Sequence, residues 1–287
     1  MTLRAVKRLI KSAVRSSARA LGRTPFGRVL FEQVIDTSMS QTCTVLHHGT
    51  TLTFSVPNRL NHFRTRTFAA KEPETLSWID AIPRGAILWD IGANIGLYAC
   101  YAARARDCHV IAFEPSVFNL ELLARNISLN GLSERVTIVS LPLFENVAQS
   151  TLNMTTTEWG GALSTFGMPV GFDGAALEKV FEFRTVGLSM DDCISKLALP
   201  LPEYLKMDVD GIEHLILRGG PKVLRHVRGV SIEINDAFAM QAEVSRQLLE
   251  SAGLRFISKA HSPLIESSPR FKRTFNQVWA RDQSLRA

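Results

Sequence analysis

The feature that most constrains this 287-residue chain is a rhythm that begins at residue 86. Short runs rich in β-branched and aromatic residues, at 86–91, 108–113, 136–140, 204–208 and 230–234, are separated by segments with helical spacing. Runs of that length without apolar/polar alternation suit strands covered on both faces. Right-handed crossovers through the intervening helices then predict a doubly wound parallel sheet. Ser116 is placed to cap a helix whose Leu120, Leu123, Ala124 and Ile127 share a face, and Gly131 to end it. Residues 237–252 repeat that form and close at Gly253.

Composition adds exclusions. Hydrophobic residues at 46% and charged residues at 21% fit an ordinary globular chain and exclude a disordered or collagen-like one. No apolar run reaches the roughly 18 residues that cross a bilayer. The net charge is +6, but eight Lys and Arg residues precede the first acid, Glu32, so the rest carries about −2. The body is therefore mildly acidic, and no nucleic-acid partner is expected. Four cysteines without paired spacing predict reduced thiols and a cytoplasmic setting, with the sequons at Asn126 and Asn153 as chance matches.

Three regions are expected. Residues 1–31 form a basic amphipathic extension, 32–83 a hairpin and helix ahead of the core, and 84–287 the Rossmann-like domain. The hairpin turns at Gly49, with His47 and His48 on opposite faces, and 62–82 is helical with a break at Pro73. Within the domain, 146–188 interrupts the rhythm and reads as an inserted hairpin or lid. At about 100° per residue, Leu3, Val6, Leu9, Ile10, Ala13, Val14, Ala20 and Leu21 fall in one arc and Arg4, Lys7, Arg8, Lys11, Arg15 and Arg19 opposite. Three readings of that helix stand: packing on the catalytic domain, peripheral contact through residues 1–22 with the inner membrane face, or a transit peptide.

The sharpest local signal is Asp90-Ile91-Gly92-Ala93-Asn94-Ile95-Gly96, closing the first buried run. Glycines at a strand-to-helix turn permit close backbone approach to a ligand. The spacing is neither G-x-G-x-x-G nor a phosphate loop ending in Gly-Lys-Ser/Thr, so the turn reads as a nucleoside site without a phosphate binder. Glu114, eighteen residues past Gly96, is placed to accept two hydrogen bonds from a ribose diol.

These blocks, with Phe68 to Ile79, Leu205 to Glu213 (LKMDVDGIE), Ile232-Glu233 and the terminal strand at 276–281, make residues 64–281 resemble the FkbM family of S-adenosylmethionine-dependent methyltransferases. The resemblance implies a Rossmann-like α/β methyltransferase fold, with a mostly parallel sheet and an antiparallel terminal strand. It also implies S-adenosylmethionine as cofactor and methyl transfer to a hydroxyl of a sugar, glycan or natural product. By the same resemblance Asp90, Gly92, Ala93, Asn94 and Gly96 wrap the methionine moiety, Glu114 holds the ribose, and Pro115 and Ser116 approach the adenosine. The edge near 143–145 borders the adenine, and Asp208 faces the transfer site. The family block usually reads Asp-Val-Glu-Gly-x-Glu, and Asp210 stands here in place of its first Glu.

Candidate catalytic groups are Asp208, Glu213, Glu233 and His261, the last heading a loop before the final strand. Asp210 and Glu213 also match a capping box. Oxygen ligands from Asp208, Glu213 and Glu233 would suit Mg²⁺, but their spacing is unspecific and no metal is expected. His109 reads as a hydrogen-bonded core imidazole, and His214 as a residue within reach of the site edge. A nicotinamide oxidoreductase, a cofactor-binding module without turnover and a membrane adaptor remain as alternatives.

Overall fold

The computed structural model describes residues 3–281. Helices α1 (Leu3–Leu21) and α2 (Pro25–Met39) precede a hairpin of β1 (Thr42–His47) and β2 (Thr50–Ser55). Short helices α3 (Arg59–Arg66), α4 (Phe68–Lys71) and α5 (Pro73–Ala81) lead into β3 (Ile87–Ile91). The chain then alternates through α6 (Leu97–Arg106), β4 (His109–Phe113), α7 (Val117–Leu129) and β5 (Val136–Val139). Strands β6 (Ala148–Met154), β7 (Ser164–Phe166) and β8 (Phe181–Gly187) form a separate antiparallel sheet in the order β7-β6-β8. The alternation resumes with α8 (Met190–Leu197), β9 (Tyr204–Met207), α9 (Glu213–Arg218), α10 (Pro221–His226) and β10 (Gly229–Asn235). It closes with α11 (Ala239–Ser251), β11 (Arg255–Ala260), α12 (Pro263–Glu266) and β12 (Thr274–Ala280).

The main sheet runs β11-β12-β10-β9-β3-β4-β5. Strands β10, β9, β3, β4 and β5 pair in parallel, while β12 lies antiparallel to both its neighbours. The fold is thus the expected α/β, Rossmann-like arrangement with an antiparallel terminal strand. Successive side chains point to opposite faces. Leu88, Val110 and Ala112 accordingly join one core layer, and Trp89, Ile91, Ile111 and Phe113 the other. After β3 the chain moves outward through β4 and β5, then returns to β9 on the other side of β3. That reversal opens a crevice at the carboxyl ends of β3, β4 and β9, where ligands of such sheets bind.

Three local expectations are corrected. His48 takes φ 44° in the hairpin turn, which breaks strand alternation, so His47 and His48 stack at 4.0 Å instead of facing apart. His109 opens β4 and is exposed, because it lies before the strand enters the core. Ser116 stands at the N-cap of α7, yet its hydroxyl makes no capping bond. Both sequon asparagines are buried: Asn126 donates to the carbonyl of Ile95, and Asn153 to those of Thr151 and Thr165. All four cysteines are free thiols.

Candidate active site

The turn after β3 satisfies its own donors. The N–H groups of Gly92 and Ala93 both donate to the Phe113 carbonyl at 3.0 Å, and that of Gly96 to Ala93. The Asn94 N–H donates to Glu114 Oε2 at 2.8 Å, and the Ile95 N–H to Asn94 Oδ1. No N–H of this turn is left to cradle a pyrophosphate, which argues against a dinucleotide. The glycines answer to packing within the chain. A Cβ on Gly92, at φ 86°, would sit 1.8 Å from the Asp208 carbonyl oxygen, and one on Gly96 would meet Leu123 at 2.5 Å.

Glu114 is 5% exposed and holds both sides of the crevice, its Oε1 accepting the Ser116 N–H at 2.8 Å. Burial lifts its carboxyl to about 7, against the pull of the bonds from Ser116, Asn94 and Asn119. A cavity opens beside it with about 580 Å³ of atom-free space, part of it open to solvent. Of the residues expected at the cofactor, Gly92, Asn94, Glu114 and Pro115 line this cavity, while Asp90, Ala93, Gly96 and Ser116 stand behind its wall. Leu143 borders it and Glu145 does not.

The insertion roofs the cavity. Asn94 and Asn119 both donate to the Gly161 carbonyl, at 2.7 and 3.1 Å, and Asn119 Oδ1 accepts the Gly160 N–H. From α3, Arg64 Nε donates to the Gly160 carbonyl at 2.8 Å, and Asn61 Nδ2 to that of Trp159. Asp210 closes the set by accepting the Leu163 N–H at 2.6 Å. The loop 159–163 is therefore tied to the helices and to the acid loop after β9.

On the far wall Asp208 follows β9, with Asp210 two residues on. Oxygens of Asp208, Asp210 and Glu233 lie within 4.8 Å of one another. Burial and then the Asp208 charge raise Asp210 to about 6, and the same causes push Glu233 well above the usual glutamate range. Lys206 Nζ lies between two acids, 3.5 Å from Asp90 and 3.6 Å from Asp208, and over the Tyr98 ring at 5.1 Å. Lys71 pairs with buried Glu72 at 2.6 Å. Although burial opposes charge on Glu72, Lys71 and Lys206 outweigh it and hold that carboxyl low.

Glu233 joins the acid cluster without lining the cavity, and two proposed catalytic groups, Glu213 and His261, belong to neither. Glu213 is fully buried and spends its carboxylate on the N–H groups of Val209 and Gly211 and on Gln241. It braces the acid loop, and because Asp210 bonds to Leu163 the capping box does not form. Both ring nitrogens of His261 are engaged, by the Thr274 carbonyl and Glu266, and its ring stacks on Phe275. His214 is 2% exposed, packs edge-on to Phe238 and is lowered to about 4 by burial.

The methyltransferase FkbM domain model matches residues 90–256, from the last acid of β3 to the start of β11. This chain belongs to that family. As an FkbM methyltransferase it uses S-adenosylmethionine as methyl donor. A curated relative, the hexuronic acid methyltransferase AglP of Haloferax volcanii, is 25% identical over 185 residues, covering 63% of this chain and 70% of that protein. Among solved structures, an FkbM methyltransferase from Methylobacillus flagellatus KT aligns with a TM-score of 0.47 at 17% identity, covering 69% of this chain and 44% of that one. A precorrin-6y C5,15-methyltransferase from Geobacter metallireducens aligns with a TM-score of 0.43 at 14% identity, over 72% and 85% of the two chains.

The sequence did not single out Lys206, Lys71 or Glu72 of this FkbM methyltransferase for a role. Lys206 had one available signal, a lysine inside an otherwise apolar strand. Breaking a buried ion pair leaves an uncompensated charge and costs about 3–5 kcal/mol. Lys206→Met is expected to destabilise the protein by about that amount, read by denaturant titration, because Asp90 is 1% exposed with no hydrogen-bond donor to either oxygen. Adding Asp90→Asn should restore much of the loss. A single variant of wild-type stability would show that the two charges do not need each other.

Proposed function

We propose that this methyltransferase transfers the methyl group to a hydroxyl oxygen of a sugar or glycan, with Asp208 receiving the proton. The observation that carries the reading is one cavity with a buried carboxylate, Glu114, on one wall and an acid cluster led by Asp208 on the other. When bound, S-adenosylmethionine supplies an electrophilic methyl carbon on a sulfonium. The residues suit that group: Glu114 keeps free lone pairs for the ribose, the turn offers no phosphate donors, and the acids opposite favour a cation. Gly92, Asn94 and Pro115 bound the donor, while Asp90 acts from behind through Lys206.

Held there, S-adenosylmethionine would supply the methyl group to the acceptor oxygen, and Asp208 would receive the hydroxyl proton. Holding the two partners in line in a roofed site supplies much of the rate. Lys206 Nζ, 3.6 Å from Asp208, places positive charge beside that carboxylate. A second hollow adjoins at Leu163, between the insertion and the loop before β12, with Phe172 and Arg270 in its walls. In this reading it accommodates the remainder of a bulky acceptor. The AglP relative, named for a hexuronic acid, supports a sugar acceptor.

The test uses S-adenosylmethionine labelled in its methyl group, with neutral and uronate-containing oligosaccharides as acceptors. Label in the sugar that resists mild alkali identifies a methyl ether. Label released by alkali would identify a carboxylate ester, and absence of label from every saccharide would sink the glycan reading.

A further inference from the structure

From residue 12 onward the two amino-terminal helices leave much of their apolar surface bare. In α1 every residue from 12 to 17 is exposed, and Val14 is 61% exposed. The stripe thus does not pack on the catalytic domain over these residues. On α2, Phe26, Val29 and Val34 are 71%, 59% and 55% exposed, and with Leu30 they share one side of the helix.

This arrangement is built. Thr24 caps α2, accepting the Gly27 N–H at 2.9 Å and donating to the Leu21 carbonyl at 2.7 Å, with Pro25 in the first turn. A Cβ on Gly27 would lie 1.9 Å from the Leu21 carbonyl oxygen, so the elbow closes only with glycine there. At the far end of α2, Ser38 donates to the Pro57 carbonyl at 2.5 Å and Met39 packs on the core. The arm is fixed at its base, and its side chains are mostly exposed from residue 12 to residue 37.

We propose that residues 3–39 are a docking arm for an anionic phospholipid surface. Charge selects this occupant. Eight Lys and Arg residues and no acid precede Glu32, and over 3–21 the basic side chains fall opposite the apolar arc. A helix with that division lies in the headgroup region, its apolar face towards the acyl chains. A second copy of the chain is a poor occupant, since two such helices would bring like charges together with only Glu32 and Asp36 of α2 to offset them. Among the described residues no helix is long and apolar enough to cross a membrane, so the contact is peripheral.

The test is co-sedimentation of the full chain with vesicles of phosphatidylcholine, with and without phosphatidylglycerol, at low and high salt. Binding is expected only to the anionic vesicles and is expected to weaken steeply with salt. Each basic residue near such a surface contributes about fivefold, so Arg15→Glu with Arg19→Glu should weaken partitioning roughly thirtyfold or more. Val14→Asp should weaken it through the apolar face, and both variants should keep wild-type affinity for S-adenosylmethionine. No binding at low salt, equal binding to neutral vesicles, or variants that bind like wild type would overturn the proposal. So would a stable dimer in solution that these substitutions dissociate.

Discussion

Glu114→Gln is expected to raise the dissociation constant for S-adenosylmethionine roughly a hundredfold. A hydrogen bond to a charged group contributes about 1.5–3 kcal/mol, and the proposed ribose diol makes two. The amide also sets a donor against the Asn94 or Ser116 N–H, so a stability loss of about 1–3 kcal/mol should accompany it. Calorimetry on the folded variant decides the point, and an unchanged constant would remove Glu114 from the ribose. The same group sets two opposed pH trends in the wild type. Its carboxyl is raised to about 7, and a diol binds the ionised form, so affinity should weaken about tenfold per pH unit below that value. Stability should move the other way. Glu114, Asp210 and Glu213 are all raised, so the folded state holds more protons than the unfolded one between roughly pH 4.5 and 7. The free protein should therefore melt higher as pH falls through that window. In Glu114→Gln the affinity trend should flatten.

Asp208→Asn is expected to lower turnover by about 10² to 10⁴ while cofactor affinity stays near wild type, the range a positioned base contributes. Its carbonyl oxygen, against which Gly92 packs, is untouched by the change, so the donor turn should keep its shape. Single-turnover rates with a saturating acceptor would measure it. A variant within a few-fold of wild type would move the proton to Asp210 or Glu233, the two acids that share the cluster. Turnover is also expected to persist in EDTA, because Lys71 and Lys206 already supply positive charge beside these acids. Loss in chelator with recovery in Mg²⁺ would instead make the cluster a metal site.

The strands were legible because burial on both faces of a sheet writes itself as short apolar runs. The expected 108–113 and 204–208 differ by one residue from β4 and β9. The strand-to-helix turn after β3, with Glu114 beside it, was legible as local structure because positive φ at Gly92 and Gly96 demands glycine at fixed spacing. What failed was the reading of purpose from type. Gly92 and Gly96 were read as ligand clearances, yet within the chain they are also required by the close approach of Asp208 and Leu123. Glu213 looked like a catalytic or capping acid and is a brace for the loop that carries Asp210. Lys206 meets Asp90, and Lys71 meets Asp208, across more than a hundred residues of sequence, and no local pattern encodes those approaches.

The two ends of the antiparallel insertion are paired neighbours, Ala148 opposite Gly187. Everything between them leaves the main sheet and returns to nearly the same place. Such a segment behaves as a cassette, since a replacement of different length need only match two adjacent anchor points. The donor wall, built from β3, β4 and the turn, does not pass through those anchors. Grafting another loop-and-sheet unit between residues 148 and 187 should thus exchange the acceptor while the machinery for S-adenosylmethionine stays in place, provided the new roof restores the bonds to Asn94, Asn119 and Asp210.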